Sequence, residues 1–359
     1  MHNLKIGIHP DQTISGSYAE KWTEFLTVRG IEPIQLNLLS SNALEQVCEC
    51  DGVMWRWAHH PSHKQSAKVI LYVIENYLEI PVFPSIKTAW HYDEKIAQFY
   101  LLQTLDAPLI ETWVFWHEEE ALTWANNVKY PVVFKLSVGA GSSNVLKVNN
   151  PDKAIRLIKR MFNKGLFPST LNERKPNTDY LNNLGELKRL IKRIPQAYDY
   201  VIRQEYPPLR KRWWKPEFGY AYFQEFIDDN TYDTRVTIIG DRAFAFRRFN
   251  RPKGFRASGS GLIDYDLSKI DLRCIEIAFE ISEKGNFQSM AFDFLSREGK
   301  PVISEISYTY LDQAVYDCEG YWCPDMSWVD GHIWPEEAQV EDFIKLIEKS
   351  CSNKKMVDK

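Results

Sequence analysis

Two carboxylates, Asp293 and Glu305, stand in a stretch that reads as a β-hairpin, Met290-Ala-Phe-Asp-Phe-Leu-Ser-Arg-Glu-Gly-Lys-Pro-Val-Ile-Ser-Glu-Ile-Ser307. Phe292, Phe294, Val302, Ile303 and Ile306 are strand formers, and Ser296 to Lys300 form a polar connection in which Gly299 can take positive φ. A turn centred on Glu298 places Asp293 opposite Ile303 and makes Glu305 its diagonal neighbour on the same sheet face. Hard oxygen donors so placed suit Mg²⁺, which is commonly shared between one or two carboxylates and substrate phosphates. The plain alternative is an amphipathic hairpin with a solvated acidic face. What separates the two is whether the rest of the chain supplies a nucleotide site.

The commonest phosphate fingerprints are absent: there is neither G-x-x-x-x-G-K-[ST] nor a G-x-G-x-x-G between strand and helix. Instead a β-branched strand ends near Lys135 and runs into a small, polar loop from Ser137 to Asn144 that contains Gly139, Gly141, Ser142 and Ser143. Consecutive N–H groups of such a loop can form an anion-binding concavity, and Lys135 can reach a phosphate oxygen. Next, the apolar strand from Tyr220 carries Gln224, Glu225, Phe226 and Ile227 and ends at Asp228-Asp229. That combination offers an apolar slot for a purine and a carboxylate for a ribose. A hairpin turning at Gly240-Asp241 then carries Arg235, Arg247 and Arg248, and a basic, glycine-rich loop containing Arg256 follows. Arginines aimed at a transferring phosphoryl group stabilise its developing charge, although strand arginines are more often solvated surface residues.

In this order, Asp93-Glu94-Lys95, Val133-Phe134-Lys135 with its loop, Gln224 to Ile227, Arg235 and Arg247, and finally Asp293 and Glu305 resemble the ATP-grasp superfamily over residues 85–310. The nearest likeness is to the ribosomal-protein glutamate ligase, glutathione synthetase and D-alanine ligase group. The resemblance implies an α/β and α+β protein, an ATP-grasp fold with a Rossmann-like N-terminal (pre-ATP-grasp) domain. It implies ATP held by Lys95 and Lys135, covered by the Ser137–Asn144 loop, with Gln224 to Ile227 reading adenine and Asp228 or Asp233 holding ribose. Arg235, Arg247 and Arg256 match catalytic basic residues, and Asp293 with Glu305 matches the pair for one or two Mg²⁺ ions. The family closes this motif as Glu-x-Asn, whereas here it reads Glu305-Ile306-Ser307, so Ser307 stands as a shorter, neutral metal ligand. The segment at 160–215 is longer than the usual connection.

The elements needed to position these residues follow from patterning. Strands at Leu4 to Ile8, Glu32 to Leu36, Asp51 to Trp57 and Pro81 to Phe83 alternate with helices near Tyr18 to Arg29, Ser41 to Glu49 and His63 to Leu78, which predicts a small parallel sheet. Ligands gather at the strand ends of such sheets, so His9, Asp11, Arg56, His59 and His60 are candidate substrate contacts. A helix from Ile86 to Leu105 carries Lys95, and another from His117 to Asn127 precedes the glycine-rich loop. Three pieces are expected, at 1–88, 89–219 and 220–350. Residues 151–215 hold sixteen Lys/Arg against six Asp/Glu, a balance suited to an anionic substrate or an acidic membrane surface as well as to a solvated face. The aromatic stretch after Asp312 can wall an acceptor pocket.

With 359 residues, 44% of them hydrophobic, the chain can bury packed cores. A net charge of -4 argues against nucleic acid as a general partner. No apolar run is long enough to span a bilayer and no signal-peptide pattern opens the chain, so a cytoplasmic protein with free cysteines is expected. The expected activity is ATP-dependent carboxylate–amine ligation through an acyl phosphate. Its substrates would be a carboxylate and an amine: the aromatic C-terminal loops and the basic insertion favour an acidic sugar or nucleotide sugar joined to an amino acid in surface-polysaccharide assembly, in line with the way Glu305-Ile-Ser-Tyr-Thr309 and Gly320-Tyr-Trp322 resemble ATP-grasp proteins of polysaccharide clusters, and a peptide-type ligase is close behind. Runner-up readings are a small-molecule kinase of the same fold and a non-catalytic nucleotide-binding protein. A homodimer is the state common among the relatives.

Overall fold

Residues 4–11, 17–58, 61–139, 144–168, 215–251, 254, 257 and 259–357 are described by the computed structural model. Gly141, Ser142, Ser143, Arg256, His59, His60 and most of the basic 160–215 segment lie outside them. The chain divides into two compact units, Met1–Thr112 with Ile227–Lys359, and Trp113–Phe226.

The N-terminal alternation forms the expected parallel sheet. Strands β1 (Lys5–Ile8), β2 (Glu32–Gln35), β3 (Gly52–Met54) and β4 (Val82–Phe83) lie in the order β2-β1-β3-β4, connected through helices α1 (Tyr18–Val28), α2 (Ala43–Val47) and α3 (Pro61–Asn76). Helix α1 starts with a capping box in which the Ser17 hydroxyl accepts from the Glu20 N–H and the Glu20 carboxylate accepts from the Ser17 N–H. Its Trp22 and Leu26, one turn apart, are buried against Ile6, Ile8 and Phe83. The helix expected from Ile86 to Leu105 is interrupted. It forms as α4 (Ile86–Ala89) and α5 (Lys95–Thr104), because Asp93 takes φ 53°, a left-handed conformation that no helix continues through. Lys95 therefore opens a helix instead of sitting within one.

The smaller unit holds β5 (Thr112–Phe115), α6 (Glu118–Asn127), β6 (Val132–Lys135), β7 (Val145–Val148), α7 (Pro151–Asn163) and β8 (Ala221–Glu225), with sheet order β5-β8-β6-β7. Phe134 and Phe223 are paired across β6 and β8 and pack with Trp124 of α6 on one sheet face. By the strand period of two, Lys135, Lys147 and Gln224 belong to the other face.

In the larger unit a seven-stranded sheet follows, built from β9 (Tyr232–Ile239), β10 (Arg242–Phe249), β11 (Ile263–Asp264), β12 (Ser289–Arg297), β13 (Lys300–Ser307), β14 (Gly320–Trp322) and β15 (Trp328–Asp330). Its path is β13-β12-β9-β10-β14-β15, with β11 beside β10. Helix α8 (Leu272–Gly285) buries Cys274, Ile275, Ala278 and Ile281 against Val236, Ala245, Phe292 and Phe294 on one face. Full burial of a large side chain such as Phe292 is worth about 1.5–3 kcal/mol, so this layer keeps the strands flat against the helix and leaves the opposite face for chemistry. The aromatic stretch expected as pocket-forming loops instead contains α9 (Asp312–Tyr316) and the β14–β15 hairpin, which extends the sheet and packs Trp322 edge-on against Trp328.

Last comes α10 (Pro335–Val357), which returns to the N-terminal sheet. Its Val340, Phe343 and Ile347 share a core with Trp22 and Leu26, and a Cβ at Gly52 would meet Ile347 Cδ1 at 2.6 Å. The N-terminal sheet thus shares its core with the far end of the chain, which is why it is not a unit of its own. All five cysteines among the described residues with placed side chains are free thiols. No helix among the described residues is long and apolar enough to cross a membrane.

Candidate active site

The β12–β13 hairpin brings Asp293 and Glu305 onto one face, by a route the residue pattern did not reveal. Glu298 and Gly299 form a two-residue turn with φ of 52° and 75°, pairing Arg297 with Lys300. Strict alternation from that turn would set Glu305 opposite Phe292, on the apolar face. A β-bulge intervenes: Phe294 pairs with Ile303, Asp293 pairs directly with Glu305, and Ser304 is the extra residue. The Ser304 hydroxyl donates to the Asp293 carbonyl oxygen at 3.0 Å, which secures the bulge locally. Ser307 faces Ala291 two positions further along, and its hydroxyl donates to the Thr309 carbonyl at 2.7 Å.

Charged groups ring this pair. Arg235, directly across β9 from Asp293, donates to both of its carboxylate oxygens at 2.7 and 2.9 Å. Arg248 donates to both oxygens of Asp233 at 2.7 Å and lies 2.8 Å from Asp293. Lys95, buried at the start of α5, lies 3.3 Å from Glu305. Three carboxylates and three cations therefore balance on this face. Burial alone would lift the Asp293 carboxyl, but the charges of Arg235 and Arg248 outweigh it and hold Asp293 well below the usual carboxylate range.

Two sequence expectations change here. Arg247 lies on the opposite face of β10, where it pairs with Asp264 and stacks over the Tyr232 and Phe249 rings. Neighbouring strand residues point to opposite faces, so it is Arg248 that reaches the carboxylates. Asp233 is committed to Arg248 and buried on the same face, whereas Asp228 is exposed in the turn after β8.

In the smaller unit, Lys135 and Gln224 share a sheet face with Lys147, which the pattern reading did not single out. Lys147 Nζ lies 3.4 Å from the centre of the Phe226 ring, a cation–π contact that fixes the lysine stem along the strand. Gln224 is buried and donates to the Tyr222 hydroxyl at 2.9 Å, while Glu225 lies on the core face at the end of β8. The described ends of the glycine-rich loop are anchored. The Ser137 N–H donates to the Tyr220 hydroxyl at 2.8 Å, and buried Asn144 donates to the Val138 carbonyl at 2.8 Å. Gly139 takes φ 118°, a conformation that favours glycine.

At the parallel sheet, His9 proves structural. Its Nδ1 lies 3.1 Å from the Leu38 N–H that donates to it, its ring packs edge-on against Trp55, and burial lowers its pKa. Asp11 and Arg56 remain side by side at the sheet's carboxyl edge, 3.7 Å apart.

Asp293 and Glu305 offer hard oxygen donors on adjacent strands, a set that fits Mg²⁺ bound together with phosphate oxygens. Among the described residues there is no group of three or more His, Cys, Asp or Glu suited to a metal.

No protein-family model matches the chain, and no curated protein matches it in sequence. Solved structures do match. A RimK-domain ATP-grasp protein from Sphaerobacter thermophilus is similar over 94% of this chain and 98% of its own, at 14% identity and a TM-score of 0.52. D-alanine–D-alanine ligase from Bacillus anthracis is similar over 98% and 99%, at 12% identity and a TM-score of 0.53. The ATP-grasp ligase PsnB, solved with its precursor peptide PsnA2 and AMPPNP, is similar over 97% and 99%, at 12% identity and a TM-score of 0.55.

Proposed function

From a chain that has the ATP-grasp fold, we propose an ATP-dependent carboxylate–amine ligase. The observation that carries the reading is the direct pairing of Asp293 with Glu305 inside a ring formed by Arg235, Arg248 and Lys95. Such a face, neutral by itself, exchanges internal ion pairs for contacts with a polyphosphate, and phosphoryl transfer requires mainly positioning and electrostatic stabilisation.

Asp293 and Glu305 are the residues that would hold Mg²⁺, which when bound supplies neutralisation of phosphate charge. Ser307, with its hydroxyl turned to Thr309, is the weaker donor for a second ion. Arg235 and Arg248 orient the γ-phosphoryl group for attack by the substrate carboxylate, and Lys95 orients Glu305. The amine then displaces phosphate from the acyl phosphate and an amide forms. In the smaller unit Lys135 and Lys147 are the cations for the nucleotide's phosphates, with Gln224 to Phe226 along the base. Asp228 is the carboxylate left for ribose, since Asp233 is spent on Arg248.

Of the similar solved structures, one is named for ligating D-alanine to D-alanine and another is complexed with a precursor peptide, in line with an acceptor of amino-acid type. The rings that suggested a sugar wall are used internally. Trp322 is packed on Trp328, and Tyr316 stacks on Trp334 with ring centres 4.0 Å apart.

The test is product analysis with Mg·ATP and a panel of amino acids, short peptides and uronic acids in pairs. Ligation gives ADP, inorganic phosphate and an amide of the corresponding mass. A stable phosphorylated product would make the chain a kinase, and nucleotide binding without turnover across the panel would make it a binding protein.

A further inference from the structure

Arg56 is the least explained charge in the larger unit. It lies two residues beyond β3, at the carboxyl edge of the parallel sheet, and only 23% of its side chain is exposed. Its guanidinium carbon lies over the Tyr18 ring, 4.3 Å from the ring centre, and Tyr308, Tyr92 and Asp11 are also near. No acceptor among the described residues receives a hydrogen bond from any of its N–H groups, and its Nε is shielded from solvent. Beside it, Asp11 uses Oδ2 to accept from the Tyr18 N–H at 3.1 Å, whereas its buried Oδ1 has no donor among the described residues. The two groups are 3.7 Å apart, too far for a hydrogen bond between them.

A largely buried guanidinium and a carboxylate oxygen that meet no partner among the described residues are each costly, and the two costs have one remedy. A ligand carrying an anion for Arg56 and, next to it, a cationic donor for Asp11 satisfies both. The planar fork of arginine matches a carboxylate, and an adjacent ammonium answers Asp11, which would repel the second charge of a phosphate. We propose that Arg56 and Asp11 form a receptor for the ammonium–carboxylate head of an α-amino acid. The inference rests on the ligase reading and narrows its substrate. The receptor adjoins the Asp293–Glu305 face, since Tyr92 feels the charge of both Arg56 and Glu305 and its hydroxyl accepts from Thr309, two residues after Ser307.

Ligand-observed NMR on the full chain with the twenty proteinogenic L-amino acids as probes, with and without Mg·AMPPNP, tests this. At least one free amino acid binds, and its N-acetyl and methyl ester forms bind about tenfold or more weakly. Arg56→Ala weakens the free amino acid to a similar degree, Arg56→Lys restores only part of it, and Asp11→Asn erases the preference over the N-acetyl form. The inference is overturned if no probe binds a wild-type chain that does bind Mg·AMPPNP. It is equally overturned if Arg56→Lys, in a variant that binds Mg·AMPPNP normally, leaves probe affinity unchanged. Failure of the wild type to bind Mg·AMPPNP would instead overturn the ligase reading.

Discussion

Arg248 joins Asp233 to Asp293, donating to both oxygens of the first at 2.7 Å while lying 2.8 Å from the second. One guanidinium thereby ties β9, β10 and β12 together on the face that carries the chemistry. Removing it strands the buried Asp233 and leaves Asp293 to Arg235 alone, whereas its neighbour Arg247 serves a peripheral pair with Asp264.

Arg248→Met is therefore expected to cost about 3–5 kcal/mol of stability. Arg247→Met should cost about 1 kcal/mol and leave nucleotide binding intact. Urea denaturation of the two variants side by side checks the contrast, and equal losses would show that the strand parity assigned to these residues is wrong.

Metal dependence separates Glu305 from the structural carboxylates. Glu305 is partly exposed and, among the described residues, ion-paired with Lys95 alone, so Glu305→Gln should change unliganded stability by about 1 kcal/mol or less. In the wild type, Mg·ATP should raise Tm more than ATP with EDTA does. That difference should vanish in Glu305→Gln. A variant that keeps it would remove Glu305 from the metal site.

On the smaller unit, Lys135→Met and Lys147→Met should each weaken ATP binding about tenfold, the loss of one phosphate-directed charge, with little change in adenosine affinity. Fluorescent-nucleotide titration measures both. If Lys147→Met binds ATP like the wild type, its role is confined to packing against Phe226.

Glu336 governs a pH response. Burial is the main reason its carboxyl is pushed up to about 8, with the Lys21 ammonium 3.7 Å away only partly opposing it. The folded chain thus holds this proton more tightly than the unfolded chain does. Its contribution to stability is complete below the ordinary value of 4.5 and is lost as pH rises through about 8. Thermal melts should fall across that window, and Glu336→Gln should flatten the fall, gaining on the order of 2 kcal/mol relative to wild type at alkaline pH. Parallel profiles for the two proteins would exclude Glu336 as the source.

Local rules made much of this legible. Alternating apolar residues marked the β12–β13 hairpin, Gly240-Asp241 marked the turn of the next, and a helical period placed Trp22 and Leu26 in the core. What escaped them depends on partners distant in sequence. Arg247 and Arg248 are equivalent until the partner of β10 is known, since only the pairing of Asp233 with Arg248 assigns the faces. The polar connection expected from Ser296 to Lys300 places Asp293 and Glu305 on one face, whereas a tighter turn at Glu298-Gly299 together with the Ser304 bulge does so here. The break at Asp93 is set by a backbone conformation within an otherwise helical pattern. Lys147 gained meaning only when β7 paired with β6 beside Lys135. The aromatic residues after Asp312 carried no period that would distinguish a strand pair from a loop.

The return of α10 to the first sheet bears on how the chain is made. Trp22 donates to Gln339 at 2.9 Å across 317 residues, and Phe343 and Ile347 complete the cover over Ile6, Ile8 and Gly52. Domains usually mature in the order in which they leave the ribosome. Here strands β1 to β4 emerge with one apolar side only partly covered by α1 and must wait for α10 to be translated, so a sheet made early is sealed late.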